Sequence, residues 1–328
     1  MTGERAHGAR YARIGPENIC VIPPIMLELL GLNLAASHTV LASTRLRRYD
    51  AHMLYRGPLI RILFAGALAC AHAQPSNHRD PRTPRTKDGK PNLTAPAPRL
   101  NGHPDFSGLW QAERTPEREY TSVLGNDFAA IQIDLHDITK NTLNIFWGLK
   151  PDEEPLRPEG ATVYKRHQDN PLTYPHAQCL PDGVPADMFV MTFKMIQAPQ
   201  EIVLLTELNS PARQIYTDGR PLPKDPEPSW MGYSVGKWEG DTLVVETSGL
   251  NDRGWLDGFG HPRSEQMHIS ERYHRRDFGH MDLDFTFDDP KFYTRPFGLK
   301  TAVRLMPDSD LIEYVCPENE KDRTHLAK

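Results

Sequence analysis

Residues 266–287 read QMHISERYHRRDFGHMDLDFTF, and this stretch contains two strand patterns joined by a turn. Every second residue from Met281 to Phe287 is apolar, and the residues between are polar. A period of two is typical of a β-strand with one buried and one wet face. The run Gln266–Arg275 precedes it, with Phe278-Gly279-His280 between them. The stretch therefore predicts a β-hairpin.

The same kind of pattern extends along the chain on both sides of this hairpin. The connections are short, and we find no helix long enough for a parallel crossover, so the sheet is predicted to be antiparallel. Closure into a barrel hides the edges of eight or more strands, and a sandwich is the alternative. The other predicted strands are Met188–Gln197, Glu201–Leu208, Arg213–Thr217, Tyr233–Trp238, Thr242–Thr247, Thr301–Met306 and Leu311–Cys316, after an opening strand at Gly108-Leu109-Trp110.

Two segments before residue 170 have a different period. Apolar residues three or four apart within 121–148 favour a helix, and Gly160–His167 is predicted to be a second, short helix. The predicted fold is therefore mainly β, a closed or partly open antiparallel barrel of eight or more strands, with one or two helices inserted before residue 170.

The first 105 residues lack the pattern of a folded domain. A basic start at Met53, an apolar run and a small-x-small site ending at Ala73 are typical of a signal peptide. An alternative makes residues 19–43 an apolar buried or membrane helix, which Pro23 and Glu28 disfavour. The predicted organisation is 1–52 an extension upstream of the true start, 53–73 the signal peptide, 74–105 a Pro-rich arm and 106–328 a single β-barrel domain.

Charge and cysteine content bear on the compartment and the partners. The net charge of −5 argues against a nucleic-acid partner, which would favour a basic surface. Processing after Ala73 leaves Cys179 and Cys316, and in an oxidising compartment these two could form a disulfide. Two separate buried thiols are the alternative. We expect a periplasmic or secreted protein with no stable membrane span after processing, and the oligomeric state stays open.

A short motif on the first strand resembles one from a known superfamily. Gly108-Leu109-Trp110 is similar to the Gly-x-Trp signature of lipocalins and their calycin relatives. In those proteins the Trp closes one end of the barrel, and an Arg from a late strand packs over it. The resemblance implies a calycin-like barrel, and Arg304 is the expected partner because a guanidinium can stack on an indole face.

A second resemblance covers most of the chain after the predicted signal peptide. The motifs are similar to those of a family of exported proteins from soil and environmental bacteria. The resemblance implies export and a β fold, and it carries no catalytic residue across. His103 stands where we would expect Lys in that family. The motifs are DFSGLW at 105–110, CLPDGVP at 179–185, YTDGR at 216–220, GKWEGDTLVVET at 236–247 and EYVC at 313–316.

Four residues are candidates for acid/base chemistry. Glu271 shares a strand face with apolar residues, and a buried carboxylate has a raised pKa unless it is paired. The alternative is a structural ion pair with an interior arginine such as Arg213. His261 and His268 could form an acid/base pair with Asp257 orienting a histidine. The alternatives are a loop histidine, a solvated strand histidine and an aspartate that caps a turn.

Other side chains are candidates for binding a small molecule. Aromatic residues at a barrel rim suit stacking on a flat ring, although more often they are core residues. An arginine at a hairpin end could hold an anionic group or brace the loop. The predicted ligand-binding residues are Tyr216, Arg220, Trp230, Tyr233, Arg213 and Tyr273.

Three functions are compatible with these features. The chain has no Gly-x-Gly-x-x-Gly, Walker, His-Glu-x-x-His or Cys-x-x-Cys motif, so we expect neither a cofactor nor a metal. The first hypothesis is a cofactor-independent enzyme (isomerase, lyase, cyclase or hydrolase) that acts by proton transfer on a small, largely apolar or aromatic molecule. The second is a non-catalytic carrier of such a molecule, and the third is a structural envelope protein. A barrel fold does not decide between them.

Overall fold

A computed structural model describes residues 79–124, 139–208 and 211–316. Nine strands within these ranges close into a barrel, which confirms the predicted mainly β fold. Two short strands form a separate hairpin ahead of it. In chain order they are β1 Arg99–Leu100 and β2 His103–Pro104 in the hairpin, then β3 Gly108–Ala112, β4 Phe193–Gln197, β5 Glu201–Thr206, β6 Ala212–Tyr216, β7 Tyr233–Glu239, β8 Thr242–Ser248, β9 His268–Arg275, β10 His280–Asp288 and β11 Phe297–Leu305.

Neighbours in the barrel follow chain order, and β11 pairs with β3 to close it. Eight of the nine contacts are antiparallel, and the contact between β6 and β7 is parallel. The prediction of antiparallel pairing throughout is therefore wrong at this one contact. The connection 217–232 returns the chain to the same end of the barrel without a helix. Only two residue pairs, Ile215 with Ser234 and Tyr216 with Val235, join β6 to β7.

The long strands alternate between a buried and a wetter face as the sequence predicts. In β9 the buried residues are Ile269, Glu271, Tyr273 and Arg275, while the side chains between them are partly or fully exposed. Every second residue of β10 from Met281 to Phe287 is buried in the same way. The barrel interior is therefore the core of the molecule.

Within the described ranges, four α-helices precede or interrupt the strands: α1 Glu117–Leu124, α2 Lys140–Leu143, α3 Pro158–Asp169 and α4 Ala186–Val190. The predicted helix at Gly160–His167 is confirmed as α3. The helix expected within 121–148 falls largely on residues 125–138, outside the described residues. The predicted strand Met188–Gln197 begins too early, because Met188 lies in α4. The predicted strand Leu311–Cys316 is wrong, because these residues form no strand.

One end of the barrel is closed by Trp110 and by the chain ahead of β3. The indole N–H of Trp110 donates to the carbonyl of Phe106 at 2.9 Å, and both residues are fully buried. We call residues 79–105, the described part of the predicted arm, the arm. It runs along this end, where Leu93 and Ala95 accept the N–H groups of Gly279 and Phe278, both at 2.7 Å.

The arginine that packs over Trp110 is Arg275 of β9. Its guanidinium carbon lies 5.0 Å from the indole centroid, and it donates to the carbonyls of Asp105 and Phe278. The expectation that Arg304 fills this position is wrong, because Arg304 lies on the exposed face of β11. Gly108 has φ +145°, and a Cβ there would lie 2.5 Å from Leu305 Cδ1, so the tight start of β3 requires glycine.

The predicted disulfide is confirmed. Cys179 and Cys316 are joined with an S–S distance of 2.06 Å, and the bond closes a loop of 137 residues. No helix among the described residues is long and apolar enough to cross a membrane. The predicted extension 1–52 and the predicted signal peptide 53–73 lie outside the described residues.

Candidate functional site

A tight turn in the β8–β9 connection lies at the end of the barrel opposite Trp110. Asp257 Oδ1 accepts the backbone N–H groups of Phe259, Gly260 and His261 at 3.0, 2.9 and 3.1 Å. Aspartate favours such turns because its side chain can accept hydrogen bonds from nearby backbone. Gly260 has φ +98°, and a Cβ there would lie 2.9 Å from His167 Cβ, so glycine lets the turn pass close under α3.

This turn places the imidazole of His261 against the carboxylate of Asp257. The Nδ1–H of His261 donates to Asp257 Oδ2 at 2.5 Å, and the same oxygen accepts the N–H of Ile145 at 2.6 Å. Asp257 thus accepts five hydrogen bonds, and it and His261 are fully buried. The ring cannot turn without breaking the bond to this fixed carboxylate, so Nε2 faces away from Asp257.

The Nε2 atom of His261 faces Glu154, which lies in the connection ahead of α3. The distance from Nε2 to Glu154 Oε2 is 3.1 Å, and the Glu154 side chain is 5% exposed. An ionised carboxylate oxygen accepts hydrogen bonds and cannot donate them, so both ring nitrogens carry hydrogen and the imidazole is a cation. Among the described residues, His261 is the one hydrogen-bond partner of Glu154.

The charges around His261 set its protonation state. Burial lowers the pKa of His261, but the charges and hydrogen bonds of Asp257 and Glu154 outweigh burial and raise the pKa to about 9. Tyr164 of α3 stacks on the imidazole with centroids 4.3 Å apart, and Phe146 meets it edge-on at 4.9 Å. Burial also raises the pKa of the Tyr164 hydroxyl, which therefore stays protonated at neutral pH.

Aromatic stacking continues from His261 along the inner side of α3. The His167 ring stacks on Trp255 with centroids 4.4 Å apart, and Tyr174 lies on the same indole at 4.9 Å. The Nδ1 of His167 lies 2.8 Å from the carbonyl of Gly260, to which it donates. Burial lowers the pKa of His167, so this second histidine is neutral at pH 7. Helix α3 therefore covers the turn with the rings of Tyr164 and His167.

A second buried polar group lies in the CLPDGVP motif. Asp187 accepts the N–H groups of Asp182 and Gly183 at 3.3 and 2.7 Å, and Tyr174 donates to Asp182 Oδ2 at 3.0 Å. Burial and the charge of Asp187 raise the pKa of Asp182 to about 8. Burial raises the pKa of Asp187 to about 6 and lowers that of Arg263 to about 10. The Oδ1 of Asp182 is buried and has no hydrogen-bond partner within the described ranges.

A third group lies at the centre of the barrel. Glu271 pairs with both terminal nitrogens of Arg213, and it accepts the Tyr273 hydroxyl at 2.6 Å. Arg213 also donates to Ser234 at 3.0 Å and to Thr247 at 2.8 Å. Glu271 therefore occupies the structural ion pair named as the alternative to a catalytic role.

The space around this central ion pair is filled. Glu271 and Tyr273 are 0% exposed and Arg213 is 1% exposed. A side chain that lines a space large enough for water keeps some accessible surface, so no such space lies against Glu271 or Tyr273. The close packing leaves no room for a substrate beside the carboxylate.

The remaining predicted site residues lie on the outside of the barrel. His268 pairs with Glu246 at 3.1 Å on the solvent side, so the structure does not bring it to Glu271 or His261. Arg220 stacks on Tyr216 at 3.8 Å and donates to Tyr233 at 3.1 Å. Trp230 stacks with Arg253. Tyr216 and Tyr233 lie on the outer faces of β6 and β7, where they alternate with the buried Ile215 and Ser234.

The structure thus divides the predicted site. Asp257 and His261 meet, Glu271 meets Arg213 and Tyr273, and His268 meets neither group. Glu154 and Tyr164 complete the surroundings of His261, and neither is among the residues that the sequence predicts for the site. Glu154 is separated from His261 by 107 residues and has no local motif that marks it as a partner.

Known proteins offer no further guide to this site. Comparison with family models, with curated proteins and with solved structures finds no match to this chain. Among the described residues, no group of three or more His, Cys, Asp or Glu side chains could hold a metal ion.

Proposed function

We propose that this protein is an exported, cofactor-independent enzyme that transfers protons on a small, flat, largely apolar or aromatic molecule. His261 is the proposed acid/base group and Asp257 the residue that positions it. The observation that carries this proposal is the His261 imidazole, held on one side by a fixed carboxylate and on the other by a carboxylate with a single hydrogen bond.

The chemistry follows from the orientation of the ring. Asp257 fixes Nδ1, so Nε2 is the atom that can give a proton to a substrate or take one. When an uncharged carbonyl substrate replaces Glu154, one of the two charges that raise the pKa of His261 is lost and the pKa falls towards neutrality. A group with a pKa near the working pH is the most effective proton donor and acceptor. Isomerases, lyases, cyclases and hydrolases all use such a step.

The dense packing of the barrel interior supports a site at the barrel end and argues against a carrier function. A carrier of the lipocalin kind needs space among the inward side chains. Glu271, Phe193 and Ile215 line the interior and are 0% exposed, so the centre is packed with protein atoms. We therefore assign Glu271 a structural role and place the chemistry at the barrel end. The disulfide and the resemblance to exported proteins support a periplasmic or secreted location.

Hydrogen exchange tests the proposal without knowledge of the natural substrate. Purified protein in D₂O is incubated with a panel of aryl ketones and aromatic β-keto esters, and deuterium incorporation at the α carbon is followed by NMR. We expect one or more members to exchange faster with the parent protein than with His261→Gln. Asp257→Asn should lower the rate as well, because the ring loses its fixed orientation.

The matched control is His268→Gln, which removes a partly exposed histidine on the outer face of β9. This variant should exchange at the parent rate. Thermal unfolding of all variants separates a lost site from a lost fold. If His261→Gln, still folded, exchanges every active compound as fast as the parent, or if no compound exchanges, the proposed function is wrong.

A further inference from the structure

The carboxylate of Glu154 occupies the position at which a ligand would meet His261. It accepts the Nε2–H of a cationic imidazole at 3.1 Å inside a nearly closed site. A cationic N–H donor that is screened from water binds anionic oxygens strongly. The site as built is therefore an oxyanion site, and a side chain of the protein fills it.

The two carboxylates beside His261 are held very differently. Asp257 accepts five hydrogen bonds, four of them from backbone N–H groups. Glu154 makes its single hydrogen bond with His261, counted over the described residues. Loss of Asp257 would leave several buried donors unpaired, whereas Glu154 gives up one bond. Glu154 is therefore the carboxylate that a ligand can replace beside His261.

The backbone around Glu154 allows a ligand to replace the carboxylate without movement of α3. The carbonyl of Pro155 accepts the N–H of Thr294 at 2.8 Å, and the N–H of Arg157 donates to Phe292 at 2.8 Å. The segment that leads into α3 is thus anchored directly after Glu154. Residues 151–153 are exposed, so rotation of the Glu154 side chain alone can return its carboxylate to water.

The walls of the site suit a flat, apolar ligand. Tyr164 lies parallel to the imidazole at 4.3 Å, and Phe146 lies perpendicular to it at 4.9 Å. An oxyanion that reaches Nε2 would therefore carry the rest of its molecule past aromatic ring surface. Aromatic rings next to such surfaces gain stacking or edge contacts.

We propose that His261 recognises an anionic oxygen, a carboxylate or an enolate, on a small aromatic molecule, and that Glu154 is an internal occupant of the same position. This inference rests on the proposed role of His261 and adds the substrate class. During proton abstraction next to a carbonyl, the imidazolium Nε2–H gives its proton to the carbonyl oxygen, where negative charge develops, while the displaced Glu154 carboxylate takes the proton from the α carbon; an enol forms, and His261 and Glu154 both become neutral.

The test uses benzoate as the probe and Glu154→Ala as the variant that empties the site. We expect Glu154→Ala to bind benzoate about tenfold or more tightly than the parent, a difference of ~1.4 kcal/mol, measured by calorimetry. Glu153→Ala, which removes the adjacent exposed glutamate, should bind like the parent. The double variant Glu154→Ala/His261→Gln should lose the gain. Acetate should bind more weakly than benzoate, because it lacks the ring.

A titration of the His261 ring by NMR keeps the inference testable if Glu154→Ala unfolds. In the parent protein, benzoate should compete with Glu154 and shift the Nε2 resonance, with no effect on the His268 ring. Equal benzoate affinity of Glu154→Ala and Glu153→Ala, or no shift at Nε2, would overturn the inference. Benzoate affinity equal to that of acetate would overturn its aromatic part. Hydrogen exchange that benzoate does not inhibit would overturn this inference alone, whereas benzoate binding without exchange would overturn the proposed function alone.

Discussion

Arg213 and Glu271 form a fully buried ion pair that joins strands β6 and β9 inside the barrel. Arg213 also donates to Ser234 of β7 and Thr247 of β8, so one guanidinium touches side chains on the next three strands. Arg213 lies at the contact between β6 and β7, which two residue pairs join, fewer than at any other strand contact in the barrel. The side chains of this network supplement the short parallel contact.

Loss of one partner of this ion pair should destabilise the fold strongly. Glu271→Gln keeps the shape but leaves the buried charge of Arg213 without its counterion, and we expect a loss of about 3–5 kcal/mol in the free energy of unfolding. Urea denaturation measures it. Glu239→Gln breaks the exposed pair with Arg272 on the outer face of β9 and should cost less than ~1 kcal/mol. Equal losses in the two variants would contradict the structural role of Glu271.

The stability of the protein should fall as the pH rises from about 6.5 to about 9. The pKa of His261 is raised to about 9, above its ordinary value of 6.5, so the folded state holds this proton more tightly than the unfolded state. The stabilisation is fully present below pH 6.5 and is lost as the pH passes 9. The free energy of unfolding of His261→Gln should lack this part of the slope, and His268→Gln should keep it. The measurement is urea unfolding at several pH values.

Asp182→Asn should stabilise the protein at alkaline pH. Burial and Asp187 raise the pKa of Asp182 to about 8, so the folded state binds the proton more tightly here as well. Its stabilisation is present below the unfolded value of 3.8 and is lost as the pH rises through 8. Asparagine has nearly the same shape and no charge to lose. We expect a higher unfolding temperature than the parent at pH 9, and an equal or lower one would contradict the assigned burial.

Reduction of the disulfide should lower stability by about 2–5 kcal/mol, because the bond restricts a long loop in the unfolded chain. Cys179→Ser/Cys316→Ser should show the same loss without reductant. The comparison is thermal unfolding of the parent with and without dithiothreitol. A double variant that still responds to dithiothreitol would indicate a different target of the reductant.

Arg275 should matter to stability, and Arg304 should not. Arg275→Ala removes the guanidinium over Trp110 and leaves the carbonyls of Asp105 and Phe278 without their donor, for a cost of about 2–4 kcal/mol. Arg304 is exposed, and Arg304→Ala should change stability by less than ~0.5 kcal/mol. Chemical denaturation of both variants checks this contrast. A larger loss of stability in Arg304→Ala than in Arg275→Ala would instead support Arg304 as the partner of Trp110.

The sequence predicts the local part of this fold well. Alternation along β9 places Glu271 and Tyr273 inside and His268 outside, because side chains on a strand change face at each residue. The parallel contact of β6 with β7 was missed, since the usual signal for a parallel crossover is a helix and the connection 217–232 has none.

The candidate site is less accessible to sequence reasoning because its parts are distant along the chain. Asp257 and His261 are four residues apart in a Gly-rich turn, and that spacing allows their contact to be suspected. Glu154 reaches His261 from 107 residues away, and its neighbours Glu153 and Pro155 give no indication of the pairing. The expectation of Arg304 over Trp110 failed because the resemblance specifies only an arginine from a late strand, and both Arg275 and Arg304 lie on late strands.

The arm has a practical consequence for anyone who produces this protein. A recombinant version trimmed to begin at Phe106 would retain all nine barrel strands, yet it would uncover the Trp110 end and remove the carbonyl of Asp105 that receives Arg275. Such a version should precipitate or expose its tryptophan to quenchers even though the sheet is complete. An affinity tag belongs ahead of Asp80, where the segment that wraps the sealed end stays intact.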